Sequence, residues 1–486
     1  MNHNYLIDKY KELPIQIKAS LWFLICAFFQ KGISALIIPI LTRLLSTTEY
    51  GQYSVFNSWQ GIINCLITLN LYGGMYAQGL VKHEGKDRRE FISSLQGLTF
   101  VLVVGWSIVY VIGYKFWNNL FSLTTQQMIL MFLIIWATAV FNFWSVEQRI
   151  NLEYKKLVGI TLTASVADSL LGIILINICQ NRVTARIFAT AIVEVFLYTF
   201  LFIDQMKKGK VFYLRDKWKY ALTFCISLIP HYLSQIVLNS SDRIMIQRLV
   251  NDSSAGIYSL AYSVSMIMSL FNTSLLQTIE PWLYQKIKNN EIDYIKKVAY
   301  PSFALVAGVN ILLIAFAPEI VRIFAPFAYY EAVWVIPPVT MSVFFMFLYS
   351  FFALFEFYFE KPQYITAATM TGAILNIVLN YIFIERYGYV AAGYTTLICY
   401  FIYALMHYFF MNKIVKDNLN GVRVYDTRII VVITVGFVFL AFGLMVTYNY
   451  PVVRYSVLLV IVLIIIVNKK LIFDTVKNFV SLKSKQ

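Results

Sequence analysis

The stretch TRLLSTTEYGQYSVFNSW (Thr42–Trp59) recurs without a gap as QRLVNDSSAGIYSLAYSV (Gln247–Val264). Arg43, Leu44, Gly51, Tyr53 and Ser54 return as Arg248, Leu249, Gly256, Tyr258 and Ser259, at a constant offset of 205 residues. What separates the two copies decides the fold. The chain has 486 residues, 59% of them hydrophobic and 13% charged, whereas a soluble domain carries about 25% charged residues. An integral membrane protein is the class this composition implies. The net charge of +15 does not point to nucleic acid, because the basic residues are scattered through short segments between apolar runs. The five cysteines fall inside apolar runs without ligand spacing and read as buried thiols. The first apolar run is too long for a cleavable leader and reads as an uncleaved span.

About 20 apolar residues cross the hydrocarbon core as a helix. Fourteen such runs lie near 19–42, 52–79, 92–114, 126–147, 158–179, 184–203, 220–247, 255–279, 298–318, 332–357, 363–384, 388–411, 428–448 and 452–468. An even number puts both termini on one side. The segments on that side, with Lys9, Lys11, Lys18 and Lys361, hold 30 of the Lys and Arg residues against nine opposite, and Lys31 lies inside a span. The positive-inside rule makes both termini cytoplasmic.

The offset spans six helices, so span 7 repeats span 1 and span 8 repeats span 2 in the same direction. The expected fold is all-α, with two parallel six-helix repeats around a central cavity and two peripheral C-terminal helices. The corresponding domains are a cytoplasmic N-terminus (1–18), an N-lobe (19–203), a cytoplasmic linker (204–219), a C-lobe (220–411), and spans 13–14 with a cytoplasmic tail (412–486). Spans 13 and 14 are apolar on all faces.

Polar side chains recur at helical spacing. Asn57, Gln60, Asn64 and Thr68 share one face of span 2. The offset carries the last three to Ser265, Ser269 and Thr273 on span 8. Span 7 bears Ser227, His231, Gln235, Asn239 and Asp242 in steps of four, four, four and three. Span 1 offers Gln30, Lys31 and Ser34; span 5 offers Thr161, Ser165 and Asp168; span 11 offers Thr366, Thr369, Asn376 and Asn380. Such stripes face protein or water rather than lipid. Taken together, the matched stripes on spans 1, 2, 7 and 8 are read as a wet cavity lining. A single Ser or Thr also serves as interhelical glue.

A cation at mid-span costs about 2.5–3.5 kcal/mol on insertion scales, so Lys31 needs a partner. Asp168, Glu194 and an anionic substrate all stand as candidates. Arg243 is a planar donor suited either to phosphate or to an ion pair. Arg43 and Arg248 close spans 1 and 7, as interfacial anchors or an outer gate. His231 reads as a hydrogen-bond donor or a proton switch. Asp168, Asp242 and His231 are the candidates for ion coupling. Pro39 and Pro230 are hinge candidates.

LPIQIKASLWFLICAFFQKGISALIIPILTRLLSTTEYGQYS (Leu13–Ser54) and NSSDRIMIQRLVNDSSAGIYSLAYS (Asn239–Ser263) resemble the polysaccharide-repeat-unit flippases. These are the Wzx-like O-antigen and capsule transporters of the multidrug/oligosaccharidyl-lipid/polysaccharide exporter superfamily. The resemblance covers essentially the whole chain. It implies a non-enzymatic transporter in the bacterial inner membrane without a cofactor. The implied substrate is an undecaprenyl-diphosphate-linked oligosaccharide moved from the cytoplasmic to the outer leaflet by alternating access. It further implies a cationic cavity meeting the diphosphate, for which Lys31 and Arg243 are the candidates, and a tail groove beside the last two helices. Implied partners are membrane lipid, a polysaccharide polymerase and other assembly proteins. A multidrug/cation antiporter of the same superfamily is the nearest alternative. A polymerase or ligase needs a large external loop with catalytic groups, and the external loops here are short. A bare lipid scramblase leaves the duplicated stripes unexplained.

Overall fold

The duplicated stretch folds as the same joint twice. In the computed structural model of the chain, which describes residues 13–419 and 421–467 with side chains up to 460, helix α1 (Ile15–Leu44) ends where Ser46 caps α2 (Thr47–Thr68). The hydroxyl of Ser46 accepts from the Glu49 N–H at 3.2 Å, and the Glu49 carboxylate accepts from the Ser46 N–H at 2.8 Å. This capping box satisfies two of the amides that a helix start leaves bare. One offset later α9 (Arg215–Leu249) ends at the matching leucine, and Asn251 caps α10 (Asp252–Ser265) by accepting from the Ser254 N–H at 2.8 Å. Pro39 and Pro230 both lie inside continuous helices.

Between these joints run α3 (Gly74–Lys82), α4 (Gly85–Ile112), α5 (Tyr114–Phe121), α6 (Thr125–Ile150), α7 (Tyr154–Ile178) and α8 (Arg182–Gly209). After α10 come α11 (Ile267–Lys288), α12 (Ile292–Ala315), α13 (Ala317–Phe324), a 3₁₀ turn (Phe327–Trp334), α14 (Ile336–Tyr358), α15 (Pro362–Tyr387) and α16 (Val390–Asn418). The chain then adds α17 (Thr427–Val446) and α18 (Pro451–Val467). Every expected span coincides with a helix. Twelve helices among the described residues are long and apolar enough to cross a membrane. The other two expected spans are α2, whose polar stripe lowers its hydropathy, and the short α18. The chain is a multi-pass membrane protein. Lys9, Lys11 and the tail beyond Val467 lie outside the described residues.

The chain divides into two compact units, Met1–Ser240 and Ser241–Gln486. The first packs span on span as α6 against α8, α7 against α8, and α4 against α6. Six spans on, the second repeats the pattern with α14 against α16, α15 against α16, and α12 against α14. Without water to expel, such contacts rest on close packing. In the first unit Phe56, Ile63 and Ile67 of α2 mesh with Met128 and Met131 of α6 and Ile187 of α8. In the second, Phe344, Phe347 and Phe351 line the buried face of α14, and Phe303 of α12 meets the Phe351 ring edge-on at 5.1 Å.

The segment 204–219 holds the end of α8, a turn, and the start of α9. It is fastened to α4: Ser93 Oγ donates to the Val211 carbonyl at 2.8 Å, and Trp218 Nε1 to the Ser94 carbonyl at 2.8 Å. Four cysteines are buried as expected. Cys179 is exposed, because it lies just past the end of α7. Helix α17 buries only Phe437, Ala441 and Leu444, packing on α12 and leaving its other faces open. That is the peripheral position its all-round apolarity predicts.

Candidate functional site

The duplicated tyrosine leads to a carboxylate in each unit, half-buried in the first and fully buried in the second. In the second unit Tyr258 donates its hydroxyl to Asp242 Oδ2 at 2.5 Å. Thr396 of α16 donates to the same oxygen at 2.8 Å, and Asn380 of α15 donates to Oδ1 at 2.6 Å. Asp242 is 1% exposed, and all three of these donors are neutral. The cluster continues through Ser241, which donates to Asn376 Oδ1 at 2.8 Å, and through Thr395, which bonds Asn380 Oδ1. The amide nitrogen of Asn376 is buried without a hydrogen-bond partner. Three hydrogen bonds thus satisfy the Asp242 oxygens in a buried setting. The cluster ties α9, α10, α15 and α16 together through buried polar side chains.

In the first unit the matched Tyr53 carries the Arg186 guanidinium over its ring, 5.5 Å from the centroid. Arg186 grips Asp168 with two bonds of 2.8 and 2.7 Å, and Thr190 donates to Asp168 Oδ1 at 2.8 Å. This carboxylate is neutralised by a bidentate fork. Glu194 accepts from Thr138 at 2.8 Å. Both acids proposed as partners for Lys31 are therefore engaged elsewhere. Lys31, Gln30 and Ser34 are exposed on α1, and Lys31 forms no ion pair among the described residues. Ser34 returns its hydroxyl to the Gln30 carbonyl at 3.0 Å.

The polar stripes divide. Gln60 and Asn64 are half-buried, and Asn64 donates to the Tyr72 hydroxyl at 2.9 Å. Thr68 is fully buried, bonded to the Asn64 carbonyl at 2.7 Å. On the matched stripe Ser265 is the fully buried member; it reaches the Ile336 carbonyl at 3.3 Å and accepts from Thr340 at 3.0 Å. Ser269 is half-buried and Thr273 exposed. Thr68, Ser265 and Asp242 are thus packing groups inside their units, which corrects the expectation that they line an open cavity. Neighbouring helices cover these groups: α14 packs over Ser265, and α15 and α16 over Asp242. Span 8 then breaks at Met266 between α10 and α11, whereas α2 runs unbroken to Thr68, so the two stripes diverge beyond that point.

On α9 Gln235 is exposed, while His231 and Asn239 are half-buried. Asn239 returns an amide hydrogen to the Gln235 carbonyl at 2.8 Å, and Nδ1 of His231 is buried without a partner. Arg243 lies over the Tyr262 ring, 4.2 Å from its centroid. Arg43 and Arg248 are exposed at their helix ends, and Arg43 donates to the Pro39 carbonyl at 2.7 Å.

Three buried ionic groups escape sequence reasoning. One is Arg186. Another is Glu356 with His407, whose Nδ1 lies 2.7 Å from the carboxylate in the second unit. The third is Arg454 of α18, which pairs with Glu319 of α13. For Glu356 and His407 a signal exists, since each is the lone acid or histidine in its expected span.

A sequence profile described as "Polysaccharide biosynthesis protein" matches residues 17–287, more than half of the chain. "Lsg locus putative protein 1" of Haemophilus influenzae is 22% identical over 378 residues, covering 74% of this chain and 89% of its own length. "Probable low-salt glycan biosynthesis flippase Agl15" of Haloferax volcanii is 25% identical over 220 residues, 43% of this chain and 45% of its own. Among solved structures, "Lipid II flippase MurJ, inward closed conformation" superposes with a TM-score of 0.70 at 15% identity, over 93% of this chain and 99% of that one. A multidrug resistance MATE family transporter of the MOP superfamily, in an inward-facing conformation, reaches 0.61 at 14% identity, over 80% and 96%. These superpositions establish a shared helical fold.

Proposed function

The chain belongs to the polysaccharide biosynthesis protein family, and from that premise we propose that it is a flippase for lipid-linked oligosaccharides. Its substrate is an undecaprenyl-diphosphate-linked repeat unit, carried from the cytoplasmic to the outer leaflet of a bacterial inner membrane for O-antigen or capsule assembly. Both termini lie in the cytoplasm. The observation that carries the reading is the duplication, in which one helix–cap–helix joint and one span-packing pattern recur in two units of a family tied to polysaccharide synthesis. Paired repeats suit alternating access. A glycan biosynthesis flippase among its sequence relatives and a lipid II flippase of the same fold point the same way.

In this reading Lys31 and Arg243 meet the diphosphate. A mid-span ammonium without an ion-pair partner among the described residues gains more from a phosphate than from water at a surface. Gln30, Ser34, Gln60, Asn64, His231, Gln235, Asn239, Ser269 and Thr273 supply hydrogen bonds to sugar hydroxyls, and Arg43 with Arg248 closes the outer side. Asp242, a buried carboxylate whose three hydrogen-bond donors are all neutral, is the coupling group. Asp168, already neutralised by Arg186, is the weaker coupling candidate. The Asp242 cluster also suits a second reading, a multidrug/cation antiporter, which needs such a carboxylate.

Purified protein in liposomes, with a fluorescent undecaprenyl-diphosphate oligosaccharide in the inner leaflet, separates the two. Protein-dependent arrival of the sugar at the outer surface supports the flippase. Cation-driven dye transport without sugar movement supports the antiporter.

A further inference from the structure

The starts of α12 and α17 border a cleft of about 720 Å³ in the second unit, within the size range of small-ligand sites. Its lining sets four cationic side chains, Lys296, Lys297, Arg423 and Arg428, against one carboxylate, Asp426. That carboxylate caps α17 by accepting from the Arg428 N–H at 2.9 Å. Beyond the lining, Asp293 holds Lys296 at 2.6 Å. Lys297 lies over the Tyr294 ring, 4.6 Å from its centroid. The wall is held in place: the Asp426 N–H donates to the Tyr300 hydroxyl at 2.6 Å, and Tyr425 is buried with its ring packed on Phe303 and Phe352. The cleft therefore carries an excess of positive charge on a braced frame.

A soluble anion and a lipid headgroup both answer such charge. The neighbouring surface decides between them. Leaving the cleft, α17 turns apolar apart from Thr434, and Val432, Val435 and Phe439 are 70%, 60% and 80% exposed. Spaced by three and four, they form one ridge on the helix. In a membrane-spanning helix that ridge meets hydrocarbon. Cations at the mouth with an apolar ridge below match an amphiphile with a phosphate head and a hydrocarbon tail. The lining residues also belong to segments of the Lys/Arg-rich side, where anionic lipids bind between helices.

We propose that this cleft binds the phosphate of an anionic phospholipid, with an acyl chain along the Val432–Val435–Phe439 ridge of α17. The site stands apart from Lys31 and Arg243 and does not depend on the flippase reading, although its ridge lies on span 13, beside which the resemblance places the substrate's tail.

Native mass spectrometry of the full-length protein in uncharged detergent tests it. Phosphatidylglycerol is titrated against phosphatidylcholine with the same acyl chains and against glycerol 3-phosphate. Saturable retention of phosphatidylglycerol is expected, about tenfold tighter than phosphatidylcholine. The pair Arg423→Gln/Arg428→Gln weakens it by about tenfold or more. A second pair, Lys296→Gln/Lys297→Gln, gives the same result and decides the matter if the first pair fails to fold. Equal retention of both lipids, or unchanged retention in both variant pairs, overturns the proposal. Displacement by glycerol 3-phosphate at equal concentration overturns it in favour of a soluble-anion site. Tighter retention of undecaprenyl diphosphate than of phosphatidylglycerol reassigns the cleft to the substrate headgroup and overturns the phospholipid assignment.

Discussion

Tyr53 and Tyr258 occupy one position of a duplicated joint yet serve buried charge differently. Tyr258 bonds its carboxylate directly, whereas Tyr53 backs the arginine that neutralises another. The difference yields a prediction. Arg186→Met leaves the half-buried Asp168 without its cation, at a cost of about 1–3 kcal/mol. Asp168→Asn together with Arg186→Met removes both charges and recovers most of the loss. Thermal unfolding in detergent checks this, and a double variant no more stable than the single one would contradict it. The carboxylates of spans 5 and 7 were visible in the sequence because each continues a polar stripe. Arg186 was not, because it sits among buried residues near the start of α8 and resembles a helix-end anchor. For the same reason the sequence left the Lys31 partner open between Asp168, Glu194 and an anionic substrate: nothing in it shows that Arg186 already holds Asp168.

At the scale of elements, the caps were legible and the break was not. Ser46 followed by Glu49 is a sequence signature with a mechanism, and Asn251 repeats its role with a different side chain. Removing either cap by alanine substitution costs about 1 kcal/mol. The two caps share no partner, so Ser46→Ala and Asn251→Ala add within about 0.5 kcal/mol. Strong non-additivity in the same unfolding assay would count against independent units. The interruption at Met266 carries neither proline nor glycine, so periodicity ran on through it and set Ser269 and Thr273 in phase with Asn64 and Thr68, although Thr273 is exposed and Thr68 buried. The clamp of α8 on α4 was equally invisible, because it rests on the missing side chain of a glycine. A Cβ at Gly209 would lie 2.3 Å from the Arg89 carbonyl oxygen and 2.0 Å from Ser93 Oγ. Gly209→Ala accordingly destabilises by about 1–3 kcal/mol, read as a lower Tm, while Gly105→Ala, inside α4 with open space around it, raises Tm slightly.

For the whole molecule, the six-plus-six-plus-two organisation follows from hydropathy and one repeat offset, since a span count needs only local composition. Which residues meet inside each unit depends on helix rotation, and an apolar helix offers few marks by which to fix it. The transport account makes its own demand. A diphosphate headgroup carries roughly two negative charges, and each gains about 2.3 kcal/mol per 100 mV when it moves outward from a negative interior. Flipping in proteoliposomes should therefore speed up under an inside-negative potential and slow under the reverse. A rate indifferent to both signs would exclude net movement of the charged headgroup as the limiting step.

The most direct test of the central claim is the flipping rate of a fluorescent undecaprenyl-diphosphate oligosaccharide by the full-length protein, beside Lys31→Ala and Arg243→Ala. The account predicts protein-dependent flipping that falls by about tenfold or more in each variant, as expected for a lost charge-assisted contact of about 1.5–3 kcal/mol, with unfolding temperatures unchanged. Variants that flip as fast as the wild type would contradict the assigned cations. A wild type that moves no lipid-linked sugar, with its native sugar supplied, would contradict the flippase itself.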